Sequence, residues 1–275
     1  MLQSIEKGEK MPEKITQYDI ESFEYRAEQQ WKEGEEHPKL LFKYKGISTI
    51  NQLMWLVDGL TEKYLYFPEV RELNDSLEGR GTRIFLSDST VFEVKEAEKY
   101  KVLSFSKTCF SPVMWSHYGD NRKGVCLGFY KGNPYCQDNQ SAFKEAEKVT
   151  YSNKDLGFSV DVKMAVKGNL LHKQKEWEYE QEWRIIEDPI PENEIDDKMK
   201  QKFPYEEEDL ACIIFGEKTE SIIKELLCSR FPSIRFYEVH HDAENYRYVL
   251  KRYDKGDKDF AINSVEELIN DLQGE

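Results

Sequence analysis

The sequence predicts an α+β fold: a single domain with a mixed, mainly antiparallel sheet flanked by helices, preceded by an N-terminal helical arm. Three observations predict it. Short apolar or alternating runs recur along the chain between turn signals, as half-buried strands require. Helical stretches fall among them without the strict strand–helix–strand rhythm of a parallel α/β sheet. At 275 residues, 39% hydrophobic and 13% aromatic, the chain can fill one large core, and no internal repeat or low-complexity linker divides it. The expected organisation is an arm over 1–39, a core domain over 40–253 and a helical tail over 254–275.

In chain order, Ile20, Phe23, Ala27 and Trp31 recur at helical spacing between Asp19 and Gly34, so that a helix there clamps the arm onto the body. Leu40 to Tyr44 reads as a strand. Ser48 is a good N-cap for a helix through about Asp58, with Gly59 as its stop. Tyr64 to Phe67 reads as a strand ended by Pro68, and Glu72 to Gly81 as an irregular loop. A charged helix is expected over Val91 to Tyr100, a strand over Val102 to Ser106, and one helical turn at Trp115 to Tyr118. A turn at Asp120 to Gly124 leads into a buried strand, Val125 to Tyr130, and Val149 to Tyr151 form a short one. Residues 160–176 carry a helical stripe and 178–186 favour a strand. After a polar excursion over 188–209 come the strand Ala211 to Phe215 and a helix from Ile222 to Arg230 capped by Thr219 or Ser221. Strands at Ile234 to Val239 and Tyr246 to Leu250 and a helix near Ser264 to Leu272 complete the chain.

Charge narrows the function classes. The net charge of −14 opposes a non-specific grip on nucleic acid or an anionic membrane, though it leaves room for a local basic groove. No apolar run approaches the roughly 20 residues that span a bilayer, and the N-terminal residues lack the apolar segment of a secretory signal. The five cysteines are scattered with no CxxC pair, which argues for reduced thiols in a cytoplasm and against zinc or a disulfide framework. His240-His241 lacks a third ligand at sensible spacing, so no metal is expected.

Two clusters carry the candidate chemistry. One runs Met114-Trp115-Ser116-His117-Tyr118-Gly119; the other is Lys173 with Trp177-Glu178-Tyr179-Glu180-Gln181-Glu182-Trp183-Arg184. Three of the five tryptophans fall in them, each beside ionisable groups. As a strand, the second cluster places Glu178, Glu180, Glu182 and Arg184 on one face, which demands cationic partners, a wet edge or a polar cleft. A carboxylate held between an aromatic ring and another carboxylate is a candidate acid or base. An ion-paired sheet edge, or a helix pairing Glu180 with Arg184, accounts for the same pattern structurally. His117 is either a base, donor or stacking platform, or a turn histidine bonded to backbone, with Trp115 and Tyr118 as core anchors. Asn74, Asp75 and Glu78 lie in a loop after a strand, where binding groups and turn formers both occur. No GxGxxG, P-loop or GxSxG motif is present.

These residues, in order, resemble a known family. Lys43-Tyr44, the Asn74-Asp75-x-x-Glu78 loop, Phe105-Ser106, MWxHYG over 114–119, GxCxGF over 124–129 and KxxxWxYExEWR over 173–184 are similar to a bacterial domain family of unknown function numbered 2971. It is often associated with mobile elements and suspected phage-defence loci. The resemblance covers about residues 40–250; members usually carry proline after the Asn-Asp pair, and here Ser76 stands in its place. The order is also distantly similar to ADP-ribosyltransferase toxins. That analogy implies Lys43 or Tyr44 on a first strand, Tyr118 or His117 as an aromatic platform, and Glu180 or Glu182 as the catalytic glutamate, with NAD as a substrate and no metal. It further implies Arg184, Lys173 and Lys43 as phosphate-positioning groups, with Ser106, Trp115 and Trp177 in the surrounding cleft. The alternative expectation is a non-catalytic sensor or interaction module with a structural WYExEWR face.

Overall fold

The chain first lays down β1 (Leu40–Lys45), α1 (Ile50–Thr61), β2 (Tyr64–Tyr66), β3 (Arg83–Phe85), β4 (Val91–Glu93) and β5 (Lys101–Ser106). Next come α2 (Pro112–His117), β6 (Val125–Tyr130), β7 (Glu147–Lys148), β8 (Thr150–Tyr151), α3 (Val162–Leu170), β9 (His172–Lys173) and β10 (Glu182–Glu187). The last elements are β11 (Lys202–Pro204), β12 (Leu210–Phe215), α4 (Ser221–Arg230), β13 (Arg235–Asp242), β14 (Arg247–Arg252) and α5 (Val265–Gln273). The structure, a computed structural model, describes residues 37–75, 78–79, 83–85, 91–93, 95–132, 141–153, 162–189, 201–253 and 261–274. The helix expected over Asp19 to Gly34, and Ser76 and Arg80-Gly81 of the irregular loop, lie outside the described residues.

Eight strands form one mixed sheet in the order β14-β13-β12-β6-β1-β5-β10-β7, so the fold is α+β. Its pairings are antiparallel except β12 with β13, which are parallel and joined through α4. A parallel pair needs such a crossover. One junction in the sheet is weak. β1 pairs with β6 along all six residues but with β5 only at Phe42↔Ser106, whereas β5 pairs six residues with β10. The sheet therefore opens into a seam between β1 and β5.

Strand alternation divides the interior. On one face Leu41, Leu103, Phe105, Leu127, Phe129, Trp183, Ile185, Ile213 and Phe215 form a continuous core under α1 and α4. On the other face Phe42, Tyr44, Cys126, Cys212, Ile214 and Tyr237 pack with α2 and α5. A smaller cluster gathers Val70, Ala97, Tyr100 and Val102 with Ala165, Val166 and Leu170 of α3. Ser104, Ser106, Glu182 and Arg184 share the alternation of Val102, so a polar stripe lies between those two cores.

Several local expectations change. Val91–Glu93 is a strand paired with Arg83–Phe85, not the start of a helix, and a 3₁₀ helix follows at Lys95–Lys99. The α1 N-cap is Thr49, in a capping box with Gln52, because the Ser48 hydroxyl bonds Asp120 instead. Gly59 does not stop α1. A Cβ there would meet the Tyr64 carbonyl oxygen at 2.8 Å, so glycine permits a close approach. The helix expected over 160–176 ends at Leu170, since His172-Lys173 pair with Thr150-Tyr151. The strand expected from 178 starts at Glu182, because Lys175–Glu180 is a 3₁₀ helix closed by Gln181 at φ 45°. Neither Thr219 nor Ser221 caps α4: its N-cap is Glu220, and the Thr219 hydroxyl donates to the Gly124 carbonyl at 2.7 Å.

Candidate functional site

A cavity of about 390 Å³ lies at the β1–β5 seam. It is lined by Lys43 and Tyr44 of β1, Ser104 and Ser106 of β5, Asn74, Asp75 and Glu78 of the loop, and Tyr118 at the end of α2. Lys173, Trp177, Glu180, Glu182 and Arg184 also line it. Its volume lies within the usual range for small-ligand sites.

Local structure sets each group in place. Ser111 caps α2 by accepting from the Met114 amide at 3.3 Å, and Pro112 sits in the first turn with its φ already helical. Trp115 is fully buried; its indole N–H donates to the Cys109 carbonyl at 2.8 Å, and its ring meets Tyr44 edge-on at 5.1 Å. That anchor holds the helix so that Tyr118, just past its end, reaches Glu180 Oε1 at 2.5 Å. The 3₁₀ turn and left-handed Gln181 displace Glu180 from the strand alternation. The Ser106 hydroxyl donates to the Glu180 carbonyl at 2.7 Å, and the Lys107 amide to the Gln181 carbonyl at 2.9 Å. Glu182 begins β10, its amide donating to the Tyr151 hydroxyl at 2.8 Å.

The charged groups form one buried network. Arg184 grips Glu182 in a two-point pair at 2.7 and 2.9 Å, donates to Glu78 Oε1 at 2.8 Å, and donates to the Leu170 carbonyl at 2.6 Å. Lys173 lies 2.6 Å from Glu180 and 3.2 Å from both Glu78 and Glu182, with its ammonium 4.7 Å from the Trp177 ring centroid. Three carboxylates thus face two paired cations, every one of these side chains at most 5% exposed. Glu78 Oε2 is buried without a hydrogen-bond partner among the described residues. Such an orphan acceptor ordinarily costs about 1–3 kcal/mol unless a donor reaches it.

The network separates the two neighbouring glutamates. Burial disfavours the charge on Glu182, but Arg184 and Lys173 overcome it and hold its carboxyl at about 2. Burial and then Glu182 push Glu180 up; Lys173 and Tyr118 offset only part of that rise. Burial also opposes the Lys173 charge, yet Glu182, Glu78 and Glu180 together raise its pKa to about 12. Burial, followed by the Tyr118–Glu180 bond, pushes the Tyr118 phenol well up. Lys43 behaves oppositely to Lys173: burial first, then Lys45 and Arg184, lower it to about 7 against a partial pull from Glu182. Its side chain retains some exposure, which tempers the effect of burial.

The structure therefore gathers twelve of the sequence-derived candidates around one cavity and leaves two outside its lining. Trp115 lies in the core. His117 is exposed, its Nδ1 3.1 Å from the Tyr179 hydroxyl. Glu178, expected to share a strand face with Glu180, is exposed on the 3₁₀ turn. The sequence reading did not single out Ser104, Tyr66 or Glu72 of the lining; Ser104 was legible as the residue two before Ser106 on the same strand face. Among the described residues, no group of three His, Cys, Asp or Glu side chains is arranged to hold a metal ion, and no helix is long and apolar enough to cross a membrane.

Residues 114–185 match the model of a family described as protein of unknown function (DUF2971), and the resemblance noted from the motifs holds over this segment. It carries Tyr118, Lys173, Trp177, Glu180, Glu182 and Arg184; Lys43, Tyr44 and the 74–78 loop lie upstream of it. No curated protein and no solved structure matches the chain.

Proposed function

We propose that the cavity receives the ribosyl–nicotinamide half of NAD and that the protein cleaves the bond between them, passing ADP-ribose to water or to a macromolecular acceptor. The observation that carries this reading is the acidic excess in the cavity: three carboxylates against two paired cations, with an orphan oxygen on Glu78 and an elevated pKa on Glu180. Ribose hydroxyls supply donors for those oxygens. Positive charge that develops on the ribose carbon as nicotinamide departs is stabilised by carboxylates fixed in advance. Trp177 and Tyr118 supply ring faces and edges for the base. At about 390 Å³ the cavity suits a mononucleotide half, and the adenylate then extends toward the opening.

Roles divide accordingly. Glu180 is the reacting carboxylate, with Tyr118 and Lys173 tuning it. Glu182 and Arg184 are positioning residues, because the guanidinium already serves two glutamates and a carbonyl. Phosphate positioning by Arg184 is therefore no part of this reading. The setting proposed with this activity is a cytoplasm, with the protein as a toxin-like or phage-defence effector of the kind the family resemblance suggests.

The test is nicotinamide release from NAD with cell lysate supplied as acceptor. Wild type is expected to release it, and Glu180→Gln to lose about 10²–10⁴-fold in rate while remaining folded. Equal release by both proteins would overturn the assignment. A second reading rests on the same Arg184 saturation, which also suits a pure scaffold: a sensor that binds without chemistry. It predicts nicotinamide mononucleotide binding by calorimetry with no turnover.

A further inference from the structure

We propose that Lys43 is a nucleophilic amine of this cavity and forms an imine with the aldehyde carbon of a ring-opened pentose, an inference that rests on the N-ribosyl reading above. Because β1 leaves β5 after Phe42, the Ser104 carbonyl has no partner from β1; the Lys43 ammonium crosses the gap and donates to it at 2.7 Å. Its amine thus stands in the cavity wall where the sheet is open. Among the described residues no carboxylate lies within ion-pair distance of it, since Glu78, Glu180 and Glu182 face Lys173 and Arg184. The Phe105 ring, 5.8 Å away at its centroid, adds an apolar neighbour.

Two lysines of one cavity consequently do opposite work. Lys173, ringed by carboxylates, keeps its proton and has no lone pair to offer. Lys43, depressed to about 7 by burial, Lys45 and Arg184, exposes a neutral amine near physiological pH. Desolvation beside another cation is an established way to activate an amine toward carbonyl carbon. Lys45 is also lowered, to about 8, but does not line the cavity and serves as an internal control.

The chemistry balances with water as co-reactant. The Lys43 nitrogen bonds to the ribose anomeric carbon while the bond to nicotinamide breaks, its electron pair neutralising the departing pyridinium. The nitrogen releases a proton to solvent, and the sugar ring opens to an imine as its ring oxygen takes one up. Water then adds to the imine carbon, and collapse returns the amine and the aldehyde form of ADP-ribose. A free pentose aldehyde enters the same imine by addition and loss of water.

The experiment is reductive trapping. The full chain is incubated with ribose 5-phosphate and cyanoborohydride, and separately with NAD and cyanoborohydride, and adducts are located by peptide mass spectrometry. Near neutral pH, Lys43 is expected to trap ribose 5-phosphate about 10³-fold faster than exposed lysines of ordinary pKa, from its larger neutral fraction. The adduct is expected to vanish in Lys43→Arg. Labelling by both probes supports the proposal. Labelling by ribose 5-phosphate but not by NAD supports the amine and overturns its attack on NAD, and nicotinamide release measured in the same NAD sample tells whether the NAD reading itself stands. Adducts spread over lysines according to exposure, or concentrated on Lys45, would overturn it. The site-resolved readout on wild type decides the matter even if Lys43→Arg does not fold.

Discussion

Two buried carboxylate–guanidinium clusters stand toward opposite ends of the eight-stranded sheet, and they are finished to different degrees. At the β13–β14 end, Asp271 of α5 receives Arg252 at 2.6 and 2.7 Å and the Tyr237 hydroxyl at 2.5 Å, while Arg235 bonds its main-chain carbonyl. The carboxylate there meets one guanidinium and a phenol while a second guanidinium takes the main-chain carbonyl of the same residue, and the result is a tie fastening the last helix to the sheet. At the β5–β10 end, three carboxylates share two cations beside an open cavity, with one oxygen left without a partner among the described residues. Burial penalises both clusters, but among the described residues it is the second that leaves that penalty partly unanswered. An incompletely neutralised cluster facing a cavity is what a binding site requires, and a saturated one is what a scaffold requires.

Variants at the two clusters sharpen this contrast. The largest expected loss of stability is Arg184→Met, which strands Glu182 and Glu78 in the interior; denaturant unfolding should show a drop of about 3–5 kcal/mol. Arg252→Met should cost less, about 1–3 kcal/mol by the same measurement, since Asp271 keeps Tyr237 and its neighbourhood is more exposed. It should leave nicotinamide release intact. A result in which Arg252→Met abolished turnover while Arg184→Met spared stability would invert the comparison.

Acidity offers a subtler distinction with a fixed sign. Glu182 is held at about 2, below its ordinary 4.5, so its contribution is complete above about 4.5 and is lost as pH falls toward 2. Glu180 is raised, so the folded protein holds that proton more tightly than the unfolded chain. Stability therefore declines as pH climbs from 4.5 through the raised value. Glu182→Gln should flatten the acid limb of the stability profile, and Glu180→Gln should remove the decline above it. The smallest effect belongs to His117→Ala: an exposed imidazole with a 3.1 Å contact to Tyr179 should change stability by less than about 0.5 kcal/mol and leave turnover unaltered.

Much of the frame was legible because strand alternation is a local signal. The apolar runs at Leu40 to Tyr44, Val125 to Tyr130 and Ala211 to Phe215 lie in the observed strands, and Ser264 caps α5 by accepting from the Glu267 amide. The meeting of the MWxHYG and WYExEWR segments was legible in kind, since buried charge demands partners. Its geometry was not. A non-glycine residue at positive φ, such as Gln181, carries no reliable mark in one sequence, and that single residue breaks the expected alternation at Glu180. Val91–Glu93 is too short for periodicity to decide, and its strand state depends on a partner eight residues upstream. The β1–β5 seam is a property of long-range register, so neither the cavity nor the isolation of Lys43 follows from local pattern.

The claim that the cavity holds one poised and one clamped glutamate two residues apart is tested most directly by carboxyl ¹³C NMR titration of glutamate-labelled protein. Resonances are assigned through Glu180→Gln and Glu182→Gln. The account predicts that Glu180 titrates above the ordinary glutamate value, that Glu182 titrates near 2, and that nicotinamide mononucleotide shifts the Glu180 resonance more than that of Glu182. Two carboxyls titrating together near the ordinary value, both indifferent to the nucleotide, would contradict it.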